Sequence, residues 1–192
     1  MENQEKNLGN LKVAIITTSV REGRVGLDVA NWALENALNQ SFENIQFELV
    51  DLKDYSLPML GAASASAEEF SAISAWKEKI ASFDAYIFVM AEYNHSFTGV
   101  FKNAMDFIKP EIANKAAGFV GYGGVGGARA VEAARLMLAE LQVACVQKNV
   151  HFMLAHDFEN YTVFKPQAFH IAPYKELISQ LTKWATALKT IK

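Results

Sequence analysis

Five short apolar runs, each followed by a stretch with helical spacing, constrain this chain more than any other feature. The runs are LKVAIITTS (11–19), FELVDL (47–52), AYIFVMA (85–91), KAAGFVGY (115–122) and ACVQKNVHF (144–152). Apolar runs of this length suit strands covered on both faces, as in a parallel sheet. Between and after them, residues 25–40, 67–82, 98–109, 127–142 and 173–189 carry apolar side chains at helical intervals. Val25, Val29, Trp32 and Ala33 share one face of the first, and Phe70, Ile73, Trp76 and Ile80 one face of the second. Five strands alternating with five helices predict a doubly wound α/β fold: a five-stranded parallel sheet with helices on both faces. The strand order expected is 2-1-3-4-5, which puts the switch point between the first and third strands. The loops leaving those two strands then face one ligand crevice. The chain, 1–192, reads as one domain, with 1–10 expected to be frayed.

Charge and cysteine usage exclude several function classes. Eighteen Lys and Arg against 21 Asp and Glu leave a net charge of −3. That is no basic footprint for nucleic acid. The apolar runs fall well short of the ~20 residues that cross a bilayer, and MENQEKNLGNLK lacks the apolar core of a signal peptide. A soluble cytoplasmic protein, with no nucleic-acid or membrane partner, is the expectation. The one cysteine, Cys145, excludes an internal disulfide and a cysteine-based metal cluster. It opens an apolar strand and is expected to be buried and inert. The four histidines show no metal-ligand spacing.

The chemistry-bearing residues concentrate in three strand-exit loops. After the third run, AEYNHS offers a carboxylate (Glu92), an aromatic face (Tyr93), an amide (Asn94) and a hydroxyl (Ser96). Such a set suits a planar, hydrogen-bonding ligand. After the first run comes TSVREGRVG. It holds Ser19, Arg21, Arg24, Val25 and Gly26 at a helix start, and two of the chain's four arginines. Guanidinium forks, free backbone N–H groups and the helix dipole together suit a phosphate. Taken alone, the loop also reads as solvated, with Arg21 or Arg24 paired to Glu22 or Asp28. After the fourth run, Tyr122, Gly123 and Gly124 open a glycine cluster running to Gly127. Glycines let backbone approach a flat ligand. The literal GxGxxG at 121–126 follows the wrong strand for a dinucleotide fingerprint. Arg129, at a helix N-terminus where the dipole disfavours a cation, calls for an anionic partner. Arg135 is expected to pair with Glu132. Singly, each residue has an ordinary structural reading: Tyr93 as a core aromatic, Asn94 as a turn former, Ser96 or Thr98 as a helix cap.

Jointly, AEYNHSFTGVFKNAMD (91–106) resembles the Glu-Tyr-Asn motif of the NADPH-dependent FMN reductase family, which has a flavodoxin-like fold. Ala91 and Thr98 stand where that motif has prolines. The first loop resembles the family's Gly-Ser-x-Arg phosphate loop, with Thr18 in the glycine's place. Residues 123–130 resemble its Gly-Gly-x-Gly-Gly-x-Arg-Ala segment. The resemblance implies an FMN-dependent oxidoreductase that takes hydride from NADPH or NADH. Its acceptors would be free flavin, quinones, azo compounds or chromate. It implies Ser19, Arg21 and Arg24 on the FMN phosphate, beside Val25 and Gly26. Glu92, Tyr93, Asn94 and Ser96 would line one side of the ring, with Tyr122, Gly123 and Gly124 on the other. It also implies a homodimer or dimer of dimers, for which the Phe-rich helix 97–108 offers apolar residues. The alternatives are a flavodoxin-type electron carrier and a flavin-free doubly wound interaction domain. Arg21, Arg24 and the modest net charge weigh against the carrier.

Overall fold

The computed structural model describes residues 10–40, 42, 44–61 and 66–191. The frayed N-terminus expected at 1–10 therefore lies, apart from Asn10, outside the described residues. Five parallel strands form the sheet: β1 (Leu11–Thr17), β2 (Ile45–Asp51), β3 (Ala85–Ala91), β4 (Ala116–Gly123) and β5 (Ala144–Met153). Their order is β2-β1-β3-β4-β5. Every residue of β3 and β4 is buried, which explains their unbroken apolar runs.

The pleat divides each strand between two cores. In β3, Ala85, Ile87, Val89 and Ala91 face one core, and Tyr86, Phe88 and Met90 face the other. The first core packs under α1 (Gly26–Leu38) and α6 (Ile171–Leu188). The second packs under α2 (Ala67–Ala81), α3 (Gly99–Asp106) and α4 (Ala128–Glu140). Helices thus cover both faces. A capping box of Ser66 and Glu69 starts α2. Thr98 starts α3, its hydroxyl accepting from Phe101 N–H at 3.2 Å.

Several local readings change. The segment 154–170 is not plain loop: it holds a one-turn helix, α5 (Leu154–Asp157), and an antiparallel hairpin, β6 (Phe158–Glu159) with β7 (Val163–Phe164). Its turn uses Asn160 and Tyr161 at φ 51° and 60°. Tyr161 carries none of the glycine chemistry that marks such a turn in sequence. Phe70 is 62% exposed, and α2 buries only Trp76 and Ile80.

Arg135 does not pair with Glu132. The β4–β5 register moves from Ala117↔Cys145 to Phe119↔Asn149, so two residues of β4 span four of β5. The Arg135 guanidinium fills that bulge. It donates to Val146 C=O at 2.6 Å and Asn149 Oδ1 at 2.7 Å, and lies 5.0 Å from the Phe119 ring centroid. An arginine fork satisfies several acceptors at once, which a surface carboxylate pair would not.

The Phe-rich helix is also less exposed than its composition suggests. Phe101, Ala104, Met105 and Ile108 are buried, and Phe97 and Phe107 pack partly against the same core. Val100 is its exposed large apolar residue, at 40%.

Candidate functional site

The strand order brings the ends of β1, β3 and β4 side by side, and their exit loops meet. β1 ends at Thr17 because the next residues turn away to tie the loops together. Thr18 Oγ1 donates to Val89 C=O at 2.8 Å and accepts from Ala91 N–H at 3.2 Å. Thr98 Oγ1 donates to Thr18 C=O. The threonine in the family glycine's place thus serves as a stitch between β1, β3 and the start of α3. Thr98, in the second proline's place, serves both as helix cap and as tie.

Ser19, Arg21 and Tyr93 converge. The Tyr93 hydroxyl lies 3.2 Å from Ser19 Oγ and accepts from Arg21 Nε at 3.0 Å. Burial pushes the Tyr93 phenol up, but the Ser19 and Arg21 hydrogen bonds and the guanidinium charge outweigh it. The net direction is down. The Arg21 guanidinium is raised in return, chiefly by its hydrogen bond to Tyr93.

Tyr93 begins a two-residue reversal. Tyr93 and Ser96 exchange N–H···O=C bonds at 2.8 and 3.0 Å, and Asn94 and His95 both sit in left-handed backbone at φ 47° and 70°. Asparagine and histidine are both among the residues that adopt this backbone most readily.

Arg24, unlike Arg21, is drawn into the fold. Its side chain is 8% exposed and pairs with Asp51 at the end of β2. The sequence alternatives for this loop are also replaced, because Glu22 pairs with Lys53 at 2.9 Å. Asp51 is fully engaged: its Oδ1 accepts from Thr17 Oγ1 at 2.7 Å and Lys53 N–H at 3.0 Å. Arg24 keeps two buried nitrogens, Nε and Nη1, with no partner among the described residues. The neighbouring N-cap of α1, Val25, offers no side-chain cap. Unsatisfied guanidinium donors beside an uncapped helix start fit an anion with several acceptor oxygens, as a phosphate monoester has.

Glu92 holds the other side. Its carboxylate is 5% exposed and pairs with the Arg129 guanidinium. It also accepts from Arg129 backbone N–H at 3.1 Å, at the start of α4. This is the anionic partner Arg129 calls for, and it complements the helix dipole. Tyr122 is buried, with its hydroxyl against Gly26, where a Cβ would come within 2.5 Å of it. Burial pushes its phenol up, so it stays neutral. Tyr122 thus sits under the first loop, Gly123 is buried with Glu92 Cβ 3.3 Å from where its own Cβ would stand, and Gly124 is exposed. A Cβ at Gly124 would meet nothing within 4 Å, whereas one at Gly127, φ 72°, would strike Tyr122 N at 2.7 Å.

Sequence reasoning missed three residues of this assembly. Asp51 and Thr17 carry no local motif, and only the β1–β2 register puts them opposite each other. Asn103 accepts from Leu60 N–H and donates to Pro58 C=O, both at 2.8 Å, holding the 58–60 loop to α3. The Lys-Asn-Ala part of the motif was the available signal for it.

A doubly wound sheet with an anion cradle and an aromatic, polar lip at its switch point defines a nucleotide- or cofactor-binding α/β protein. Residues 11–159 match the NADPH-dependent FMN reductase family, and the chain belongs to it. It is 35% identical over 128 residues to the NAD(P)H-dependent FMN reductase ntnL of a Nectria species, covering 62% of this chain and 63% of that protein. The match therefore spans less than two thirds of ntnL's length. It is 31% identical over 150 residues to an NAD(P)H:quinone oxidoreductase of Solanum tuberosum, covering 76% of each. Among solved structures, the fold is shared with FerB, a flavoenzyme NAD(P)H:(acceptor) oxidoreductase of Paracoccus denitrificans. There the TM-score is 0.68 at 20% identity, covering 90% of this chain and 98% of that one.

Proposed function

We propose that this protein is an FMN-dependent oxidoreductase that uses NADPH or NADH to reduce small acceptors such as free flavin, quinones, azo compounds or chromate. The observation that carries this reading is the meeting of Ser19, Arg21 and Tyr93, which joins the phosphate-type loop and the Glu-Tyr-Asn loop into one site. FMN, when bound, supplies the hydride chemistry, and no protein acid, base or nucleophile is needed for it.

The chain's own residues bind and orient. Ser19, Arg21, the free donors of Arg24 and the backbone at Val25 and Gly26 would hold the phosphate. Tyr93, Asn94 and Ser96 would line the ring, with Glu92 keeping that lip and α4 in register through Arg129. Gly124, exposed and with open space around it, would leave room for a nicotinamide to approach.

We read the whole chain as one FMN-binding domain acting in the cytoplasm; among the described residues no helix is long and apolar enough to cross a membrane. A homodimer or dimer of dimers is the assembly we read from the family resemblance, and exposed Met59 (70%), Leu60 (52%) and Val100 support it. Val100 lines a cavity of about 320 Å³ between the 55–57 loop and α3. An exposed apolar cluster of this kind marks an interaction surface.

The test is an absorbance spectrum of the purified, FMN-supplemented protein, followed by addition of NADH or NADPH under anaerobic conditions. Stoichiometric flavin that bleaches within minutes is the expected result. No flavin binding would overturn the reading. Bound flavin that neither dinucleotide reduces would favour the one-electron carrier instead.

A further inference from the structure

We propose that His95 is the acceptor-binding hydrogen-bond donor of this site, presenting Nε2–H to the oxygen of a carbonyl-type electron acceptor. The proposal rests on the oxidoreductase reading above and concerns a residue that neither the phosphate loop nor the ring-lining set uses.

The chain of inference starts at a buried carboxylate. Glu92, 5% exposed, grips both the side chain and the backbone of Arg129 and so fixes where that guanidinium points. Its Nη1 lies 3.3 Å from His95 Nδ1. A guanidinium has only donors. Nδ1 must therefore accept, which leaves the ring proton on Nε2. Glu92 orients Arg129, and Arg129 selects one tautomer of His95.

Two further observations make that donor available to a ligand of this site. His95 is exposed, and no described residue bonds its Nε2, so the proton is available to a ligand. It occupies the second position of the Tyr93–Ser96 reversal, two residues from the hydroxyl that meets Ser19 and Arg21. That position takes φ 70°, where glycine would sit without strain.

The chemistry follows from the acceptor. Two-electron reduction of a quinone consumes one hydride, supplied by NAD(P)H, and one proton, supplied by solvent, and gives the hydroquinone. Negative charge develops on the carbonyl oxygen as the hydride equivalent arrives. A neutral N–H donor aimed at that oxygen stabilises it without carrying a charge of its own. An acceptor such as ferricyanide, which has no oxygen to protonate and takes electrons at a distance, gains little from it.

The experiment compares wild type with His95→Gly, a change that relieves the left-handed backbone and so preserves the turn. Nitrogen-15 NMR of the wild-type imidazole, with and without FMN, should show Nδ1 unprotonated and Nε2 protonated at neutral pH. The ratio of kcat/KM for a benzoquinone to that for ferricyanide should fall about tenfold in the variant, the scale of one hydrogen bond to a developing charge. FMN affinity, by fluorescence titration, should change far less than that. A protonated Nδ1, or equal losses on both acceptors, would overturn the proposal. Failure of the wild type to bind FMN or reduce either acceptor would instead overturn the reading beneath it, and shows without any mutation.

Discussion

Arg21 and Arg24 are three positions apart and do different work. Arg21 is exposed and reaches across to Tyr93, whereas Arg24 is buried against Asp51 and keeps two unpartnered nitrogens. Arg21→Ala should weaken FMN binding by about 1.5–3 kcal/mol, the scale of a hydrogen bond to a charged group. Riboflavin, which lacks the phosphate, should bind weakly and respond little; equal losses for the two ligands in fluorescence titrations would show that Arg21 does not read phosphate. Cys145 gives a second test at this scale. Burial pushes its thiol from 9.0 up to about 11, against a smaller opposing pull from Arg135. The folded state therefore holds the proton more tightly than the unfolded chain. Its contribution to stability is complete below about pH 9 and is lost as pH rises toward 11. Cys145→Ala should flatten the decline in urea midpoint across that window. The thiolate is the reactive species, so native Cys145 should also alkylate far more slowly at neutral pH than it does in denaturant.

At the scale of elements, the crevice depends on how β1, β3 and α3 are fastened at one point. Thr98 caps α3 and donates to Thr18 C=O, while Thr18 bonds both Val89 and Ala91. Thr98→Ala removes the cap, at about 1 kcal/mol, and strands a buried carbonyl, at about 1–3 kcal/mol more. The denaturant midpoint should drop accordingly with an unchanged slope. Thr98→Ser keeps the hydroxyl and should recover most of the loss. An alanine variant as stable as wild type would show that neither bond matters. The same fastening accounts for the departure from the family's glycine and proline: Thr18 and Thr98 supply hydrogen bonds where those residues supply backbone geometry.

At the scale of the whole molecule, the exposed apolar side chains of one loop and of α3 bear on assembly. Met59 and Leu60 are exposed on the loop that Asn103 holds to α3, and Val100 is exposed on α3 itself. Burying them against a second copy would remove an apolar cluster from water. Wild type should sediment as a dimer or larger at micromolar concentration, and Leu60→Glu should shift it toward monomer with little change in melting temperature. A monomeric wild type would overturn the assembly. Phe97, Phe101 and Met105, which the sequence offers for such a contact, are drawn inward by the second core, leaving Met59, Leu60 and Val100 as the exposed set.

What the sequence determined by itself was whatever depends on near neighbours. Apolar runs and helical spacing set the five sheet strands and five main helices, and the crossover rule for such units set their order. The three loops could be found because turn, cradle and motif chemistry repeat at fixed local spacing. The hairpin at 158–164 escaped because Asn160 and Tyr161 adopt left-handed backbone without a glycine to announce it. Partners across the fold were decided only by tertiary structure. The β1–β2 register sets Thr17 opposite Asp51, and so gives Arg24 its carboxylate. The β4–β5 bulge claims Arg135, and the approach of the β3 and β4 loops joins Glu92 to Arg129. An ion pair is chosen by distance in space and by what else is buried nearby, and neither is a property of sequence spacing.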